Sequence, residues 1–467
     1  MGVLENTSIV GKSFKKDEGK VWPQILAICA VSLGPLNNGM QFVWSSPFAL
    51  VISQDPTYDV TEADTSQFML YQSSAMILFG FLFFSLSEKV GRKKCVLFLA
   101  IPLVATWLML IFARTKWEFI AARFIAGIAD AVFFTTVPSY IGEISTPTVR
   151  GTFGNTPILF FYLGQLIINT IGSYCSVTLS AYICLPIPII FFISVLFIPE
   201  SPYQLIKDNK LEEAKASLKW LRRKQEIEED YAAIKADVER QISESASWLD
   251  LVRIRSNMRA LRAGIFVRVS QQFCGISTFA SYTQTIFQQA GTSLSPQYSS
   301  IIFTGLIIIL NLIFSISVEK FGRKPSYFYS LLSAGGVLLA LAIYFFLEQF
   351  QLVNLEQIKW FPLAGMFSWV FAYSFGLGLV PTLMLGELFS ASIKSKALGV
   401  LMVFFGAGIM LTNAIYHLMV TNIGMYSPFL VYAIACFLSS FLVLSWVPET
   451  KGKTLEEIQQ TLKGKKL

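Results

Sequence analysis

"SEKVGRKK" (residues 87–94) returns 231 positions later as "VEKFGRKP" (318–325). Each stretch closes one long apolar run and opens the next. Two further pairs follow in the same order. "GEISTPTVRG" (142–151) returns as "GELFSASIKSKALG" (386–399), and "IPESP" (198–202) returns as "VPETKG" (447–452). In the middle pair, Glu143 and Arg150 are spaced like Glu387 and Lys394. Three ordered markers at similar offsets imply a tandem duplication. Parallel repeats of six spans are one architecture of alternating-access carriers.

Composition supports a membrane solvent. Of the 467 residues, 54% are apolar and 14% charged, with 41 Phe, whereas soluble domains run about 25% charged. A spanning helix needs about 20 mostly apolar residues. Twelve such segments can be drawn at 22–50, 67–87, 95–114, 117–142, 152–174, 179–198, 262–288, 298–318, 326–347, 360–386, 396–421 and 427–447. The expected fold is therefore an all-α polytopic membrane protein of twelve transmembrane helices. Its parts are a tail (1–20), a six-helix half (21–198), a linker (199–261), a second six-helix half (262–447) and a tail (448–467). "NKLEEAKASLKWLRRKQEIEEDYAAIKADVERQ" in the linker lacks Pro and Gly and places apolar residues at helical spacing, so it reads as amphipathic helices.

The net charge of +7 does not call for nucleic acid. With both termini cytoplasmic, 32 of the 37 Lys and Arg fall on the cytoplasmic side and only Arg114, Lys116 and Lys359 on the other. That asymmetry is the positive-inside signal. The six Cys lie in or beside apolar segments without metal-ligand spacing, so neither a disulfide framework nor a metal or other cofactor is expected. No nucleophile–base pair or phosphate loop is present and there is one His, so an enzyme is not expected. The expected setting is a lipid bilayer, the plasma membrane, with the chain acting as a monomer.

Polar groups inside spans mark function by default. "RVSQQFCGIS" (268–277) carries two adjacent amides, Gln271 and Gln272, in an apolar run. An amide moved into hydrocarbon unpartnered costs roughly 2–7 kcal/mol. Thr278 and Tyr282 recur at helical spacing on the same segment. Amides and hydroxyls both donate and accept, which suits a neutral polyhydroxyl solute such as a sugar. The only intramembrane cations, Arg123 and Arg268, are expected near span ends. Glu88, Glu143, Glu319 and Glu387 sit at the cytoplasmic ends of spans near Arg92, Arg150, Arg323 and Lys394. Pairs among them, bidentate where Arg is the partner, are expected to hold the halves together on the cytoplasmic side and to break during gating.

The ordered motifs Glu88-Lys89-x-Gly91-Arg92-Lys93, Arg123-Phe-Ile-Ala-Gly127, Pro138-x-Tyr140-x-x-Glu143, Pro199-Glu200-Ser201-Pro202, Gln271-Gln272-x-x-Gly275-Ile276, Glu319-x-x-Gly322-Arg323-Lys324 and Pro448-Glu449-Thr450-Lys451-Gly452 resemble the sugar porter family of the major facilitator superfamily over nearly the whole chain. Pro-Glu-Ser-Pro-Tyr and the segment from Gly39 to Pro47 look most like its arthropod facilitated trehalose transporter-like branch. The resemblance implies sugar contact by Gln271 and Gln272 and by Ser277, where the family usually has Asn. Other positions depart from the pattern. The family's fifth-span Gln aligns with Ile158 and its eighth-span Asn with Ile307, although Asn311 lies one turn further on the same face. The tenth-span break survives as Gly376, Gly378 and Pro381, but the Trp that packs on sugar is Thr382 and the nearby Glu is Ser374, beside Tyr373. The eleventh-span Asn-Trp pair aligns with Phe405-Gly406. The expected substrate set is thus Gln271, Gln272, Ser277, Tyr282, Asn311, Tyr373 and Thr382. Residues 22–50 contain no Asp or Glu, which favours facilitated diffusion of a sugar such as glucose or trehalose. Asp130, seven residues after Arg123, keeps a proton-coupled alternative open, and a sugar sensor is a third reading.

Overall fold

The computed structural model describes residues 19–243, 247–291, 294–453 and 455–463. Among these, eleven helical segments are long and apolar enough to cross a membrane: Trp22–Gln54, Glu62–Val90, Arg92–Phe112, Lys116–Ile144, Pro147–Tyr174, Val177–Leu196, Pro296–Ser315, Arg323–Gln349, Glu356–Glu387, Lys396–Asn422 and Tyr426–Trp446. Within a bilayer a continuous helix satisfies its own backbone groups, so these runs have no other stable form. The remaining span, seventh in order, is split into Arg255–Phe273 and Ile276–Gln289. The split falls at Gly275, whose φ of +93° belongs to the left-handed region and whose Cβ, if present, would lie 2.6 Å from the Phe279 ring. Glycine is what allows the chain to turn there.

Spans 1–6 and 7–12 build two largely separate hydrophobic cores. The halves meet where the second span packs on the eleventh, the fifth on the eighth, and the Ser45–Gln54 part of the first on the Ile276–Gln289 part of the seventh. Small residues bring backbones together within a half. A Cβ at Gly39 would strike the carbonyl of Phe161, and one at Gly164 that of Leu36, locking the first span against the fifth.

Between the halves, Pro202–Lys207, Leu211–Arg222 and Glu228–Ser243 form a small helical layer with its own core of Leu205, Ile206, Ala214, Leu218, Tyr231 and Ile234. The helix of the seventh span begins at Arg255, inside the stretch assigned from sequence to the linker, because nothing helix-breaking separates the basic segment from the apolar one.

Candidate functional site: a polar centre between two helix breaks

The break at Gly275 ends the first seventh-span helix one turn after Gln271 and Gln272. Gln271 is 6% and Gln272 2% exposed. Gln271 Nε2 donates to the Leu377 carbonyl at 2.8 Å, and its Oε1 accepts from Arg268 Nη1 at 3.3 Å. Gln272 Oε1 accepts from the hydroxyl of Ser277 across the break. Both amides therefore have protein partners on one edge.

Leu377 belongs to the second break. The tenth span runs as an α-helix over Phe361–Ala372, widens into a π turn over Tyr373–Leu377, and resumes at Val380–Glu387. A π turn frees carbonyls from the usual ladder and is common at functional sites. Ser330 on the ninth span fastens it: its hydroxyl donates to the Ala372 carbonyl and accepts from Leu377 N–H at 2.9 Å. Gly376 lets this turn lie directly on the Ser326 backbone. The Asn311 amide presses on Gly378, with Oδ1 2.6 Å from where a Cβ would stand.

Several buried polar atoms around these breaks have no partner: both amide atoms of Asn311, the hydroxyls of Ser374 and Tyr282, and Asn413 Oδ1. An unpaired buried polar group costs about 1–3 kcal/mol, so this unfilled capacity suits a hydroxyl-bearing ligand. Tyr373 is 1% exposed, stacks on Trp369 at 5.2 Å, and reaches Tyr162 of the other half through a hydroxyl pair at 3.3 Å. Thr382 is half-buried further along the tenth span and makes no hydrogen bond with its side chain to another described residue. Tyr282 stacks on Tyr416 at 4.9 Å. Ile307 is buried in the apolar core.

One member of the centre was expected elsewhere and another was missed in the sequence. Arg268 is not at a span end: its guanidinium lies between Gln271 and the Phe405 ring, 4.8 Å from the ring centroid. Arg123 lies near the start of the fourth-span helix Lys116–Ile144, as expected, and is fully buried, donating to the Gln41 carbonyl at 2.7 Å and lying 4.5 Å over the Trp44 ring. Tyr162 is the member that was missed, since a lone aromatic in an apolar run carries no signal.

On the side of the linker helices, the charged motifs form two copies of one network, each within a half. Arg92 pairs with Glu143 at 3.1 Å, and Glu143 accepts from Ser201. Arg323 pairs with Glu387 at 3.1 Å, and Glu387 accepts from Thr450. Glu200 caps the helix that starts at Arg92, accepting from Lys93 N–H at 2.8 Å, and Glu449 caps the one that starts at Arg323, accepting from Lys324 N–H at 3.0 Å. The motifs Pro-Glu-Ser and Pro-Glu-Thr are thus helix caps, a role their repetition could have suggested. Burial raises the Glu200 carboxyl above the usual carboxylate range, against the backbone donors of Lys93 and Ser201 that lower it.

These contacts correct the expected pairing. Among the described residues Arg150 and Lys394 do not bind a glutamate; they donate to the Gly142 and Gly386 carbonyls of their own halves. Glu88 makes no ion pair among the described residues, and only its carbonyl is used, by Gln204 and Lys207. The side chain of Glu319 lies outside the described residues. Among the described residues the Arg92–Glu143 and Arg323–Glu387 pairs each close within a single half. The Lys394 ammonium is held below the ordinary lysine range by burial first and by the Arg150 guanidinium of the opposite half second.

Asp130 is bonded by two amides of neighbouring spans, Asn38 Nδ2 at 2.9 Å and Gln72 Nε2 at 2.8 Å. Asn37 and Gln41 of the first span are partly used, Asn37 Oδ1 accepting from Trp107 Nε1 and Gln41 Nε2 donating to the Leu103 carbonyl, while Asn37 Nδ2 and Gln41 Oε1 stay unpaired.

Twelve spans in two matching halves, with broken seventh and tenth spans meeting at a polar centre, define a major facilitator-type membrane carrier. The chain belongs to the family described as "Sugar (and other) transporter", whose model matches residues 26–462. It is a transporter, not an enzyme. It is 31% identical to the facilitated trehalose transporter Tret1 of Polypedilum vanderplanki, over 95% of this chain and 89% of that one. It is 29% identical to Tret1 of Bombyx mori, over 97% and 90%. To Tret1 of Drosophila virilis it is 28% identical, over 95% of this chain but about half the length (49%) of that relative. Its fold is similar to the xylose transporter XylE from E. coli in an inward-open conformation (TM-score 0.77, 19% identity, 94% of this chain and 99% of that one). It is also similar to the proton:xylose symporter XylE bound to 6-bromo-6-deoxy-D-glucose (TM-score 0.74, 20% identity, 94% and 99%).

Proposed function

We propose that this chain carries a neutral sugar, trehalose or glucose, down its gradient by alternating access, with the linker helices on the cytoplasmic side of the plasma membrane. The observation that carries this reading is the unfilled polar capacity at the tenth-span break. Both amide atoms of Asn311, against Gly378, and the Ser374 hydroxyl are buried there without partners. Gln271 ties that turn to the seventh-span break through the Leu377 carbonyl. Ser277 and Tyr373 supply hydroxyls to the same centre, and Thr382 lies along the tenth-span path. Relatives named as facilitated trehalose transporters across most of this chain support the choice of sugar. Arg268 is oriented by Gln271 and Phe405, so its charge serves the protein before it serves a ligand.

Facilitated rather than coupled transport is supported by the first span, which has no acidic residue between 22 and 50. Asp130 is held as a bridge among the first, second and fourth spans by Asn38 and Gln72, a structural use of a carboxylate. The networks Arg92–Glu143 and Arg323–Glu387 keep each half rigid on its linker side while the halves rock, and Arg150 and Lys394 repel across the gap that opens there.

Counterflow in proteoliposomes with labelled glucose, trehalose and xylose, with and without a pH gradient, tests the proposal. Exchange that ignores the gradient is expected. Exchange of none of the sugars overturns the proposal, and acceleration by an inward proton gradient replaces uniport with symport.

A further inference from the structure

The second half holds one charge deep among its spans. Arg268 lies on the seventh span, three residues before Gln271. Between residues 255 and 448 the sequence has four carboxylates, Glu319, Glu348, Glu356 and Glu387, each at or near the end of a helix. None of them pairs with Arg268, which makes no ion pair among the described residues. Asp130, the carboxylate buried in the first half, is taken by Asn38 and Gln72. The groups that act on the Arg268 guanidinium electrostatically are the phenols of Tyr373, Tyr327 and Tyr162, not carboxylates.

Gln271 and Phe405 orient this guanidinium without neutralising it. Of its five N–H donors, one on Nη1 goes to Gln271 Oε1 at 3.3 Å, and the Phe405 ring centroid lies 4.8 Å away. The Nε–Nη2 edge hydrogen-bonds to no other described residue. That edge is the planar fork that matches the two oxygens of a carboxylate. It stands where the halves meet, since Phe405 packs on Phe134 of the first half at 5.3 Å. Gln271 joins the same point to the tenth-span break. Arg268 is half-buried, not sealed in the core. When the halves close over a ligand its remaining hydration is lost, and a lone charge in an apolar medium is far less stable than a paired one. A neutral sugar brings lone pairs to that fork but no counter-charge. Intramembrane charges of this kind mark substrate and ion pathways.

We propose that Arg268 makes the centre select a sugar acid, a polyhydroxyl ring bearing one carboxylate, with that carboxylate on the Nε–Nη2 edge. The proposal rests on the carrier reading and changes the charge of the preferred substrate. One guanidinium balances one negative charge, so a monoanion fits. The probe is D-glucuronate, glucose with its sixth carbon oxidised to a carboxylate, which is ionised at neutral pH. In proteoliposomes of the full chain, labelled glucuronate is expected to exchange. Unlabelled glucuronate is expected to inhibit glucose counterflow at least about tenfold more strongly than its neutral methyl ester, the equivalent of one charge-assisted hydrogen bond. Arg268→Gln lowers the ratio of glucuronate to glucose exchange at least about tenfold, and Arg268→Lys, which keeps the charge, lowers it less. The ester comparison uses wild-type protein, so it decides the matter even where Arg268→Gln fails to fold. Two results overturn the proposal and leave the carrier reading standing. One is exchange of neutral sugars with glucuronate neither exchanged nor a better inhibitor than its ester. The other is an unchanged glucuronate-to-glucose ratio in an expressed Arg268→Gln variant. Exchange of glucuronate alone removes the neutral sugar and keeps the proposal, whereas exchange of no labelled solute by wild-type protein overturns both.

Discussion

Gln271 is expected to be the most sensitive single position in the centre. Its amide links the seventh-span break to the Leu377 carbonyl of the tenth-span break and orients the Arg268 guanidinium. Gln271→Ala is expected to lower counterflow at least about tenfold, the equivalent of about one hydrogen bond, with surface expression intact. Unchanged uptake by an expressed variant removes Gln271 from the site. Asn311 gives a complementary case. Both its amide atoms are buried without partners, so Asn311→Leu should hold or raise the melting temperature while reducing sugar transport. A variant that loses stability instead marks the amide as structural. Lys394 carries a pH dependence whose sign follows from its lowered value. The folded state binds this proton less tightly than the unfolded chain does. The stability contribution is complete above the ordinary lysine value of 10.5 and is lost as pH falls through the folded value. Lys394→Met should therefore melt higher than wild type near neutrality, and thermal unfolding should show that advantage shrinking as pH approaches 10.5.

At the scale of single elements, the two broken spans carry the site, and they are broken by different means. The seventh uses a glycine at φ +93°, so Gly275→Ala meets both backbone strain and the Phe279 ring. It is expected to cost about 1–3 kcal/mol in thermal or denaturant unfolding. The tenth uses a π turn that Ser330 holds from the ninth span. Ser330→Ala leaves the Leu377 N–H without that partner and should cost transport more than stability, because Leu377 also receives Gln271. The first break was legible from Gly275 beside a glutamine pair. The second was legible as a region, from Gly376, Gly378 and Pro381, but the π register was not, since it depends on a serine 47 residues away.

Across the whole molecule, the duplication seen in the motifs reappears as duplicated contacts. Arg92–Glu143–Ser201 and Arg323–Glu387–Thr450 occupy equivalent places, each with a glutamate cap beside a positive-φ glycine, Gly91 or Gly322. Because each network closes within its own half, double mutants should report that boundary. Arg92→Gln with Glu143→Gln is expected to be non-additive in stability by about 0.5–3 kcal/mol, whereas Arg92→Gln with Arg323→Gln should add within about 0.5 kcal/mol. Coupling between the two arginines measured by thermal unfolding would move the ion pairs to the interface between halves.

Span number and the two-fold repeat were fixed by local properties, the length of apolar runs and the recurrence of motifs, because a bilayer leaves an apolar run of that length one satisfied conformation. The limits were not, since the seventh-span helix starts at Arg255. Gln271 and Gln272 were legible as candidates because they are polar groups where solvent cannot reach, whereas Asn311 and Tyr373 were reached only through the family resemblance. Their partners were not legible. Whether Arg92 joins Glu88 or Glu143, whether Arg268 lies at a span end or beside Gln271, and whether Tyr162 meets Tyr373 across the halves all depend on how helices far apart in sequence rotate and pack. Close backbone approach at Gly39, Gly164 and Gly376 fixes how those helices meet. Only the tertiary structure decides these contacts, because the energy of each contact depends on a distance that no local pattern encodes.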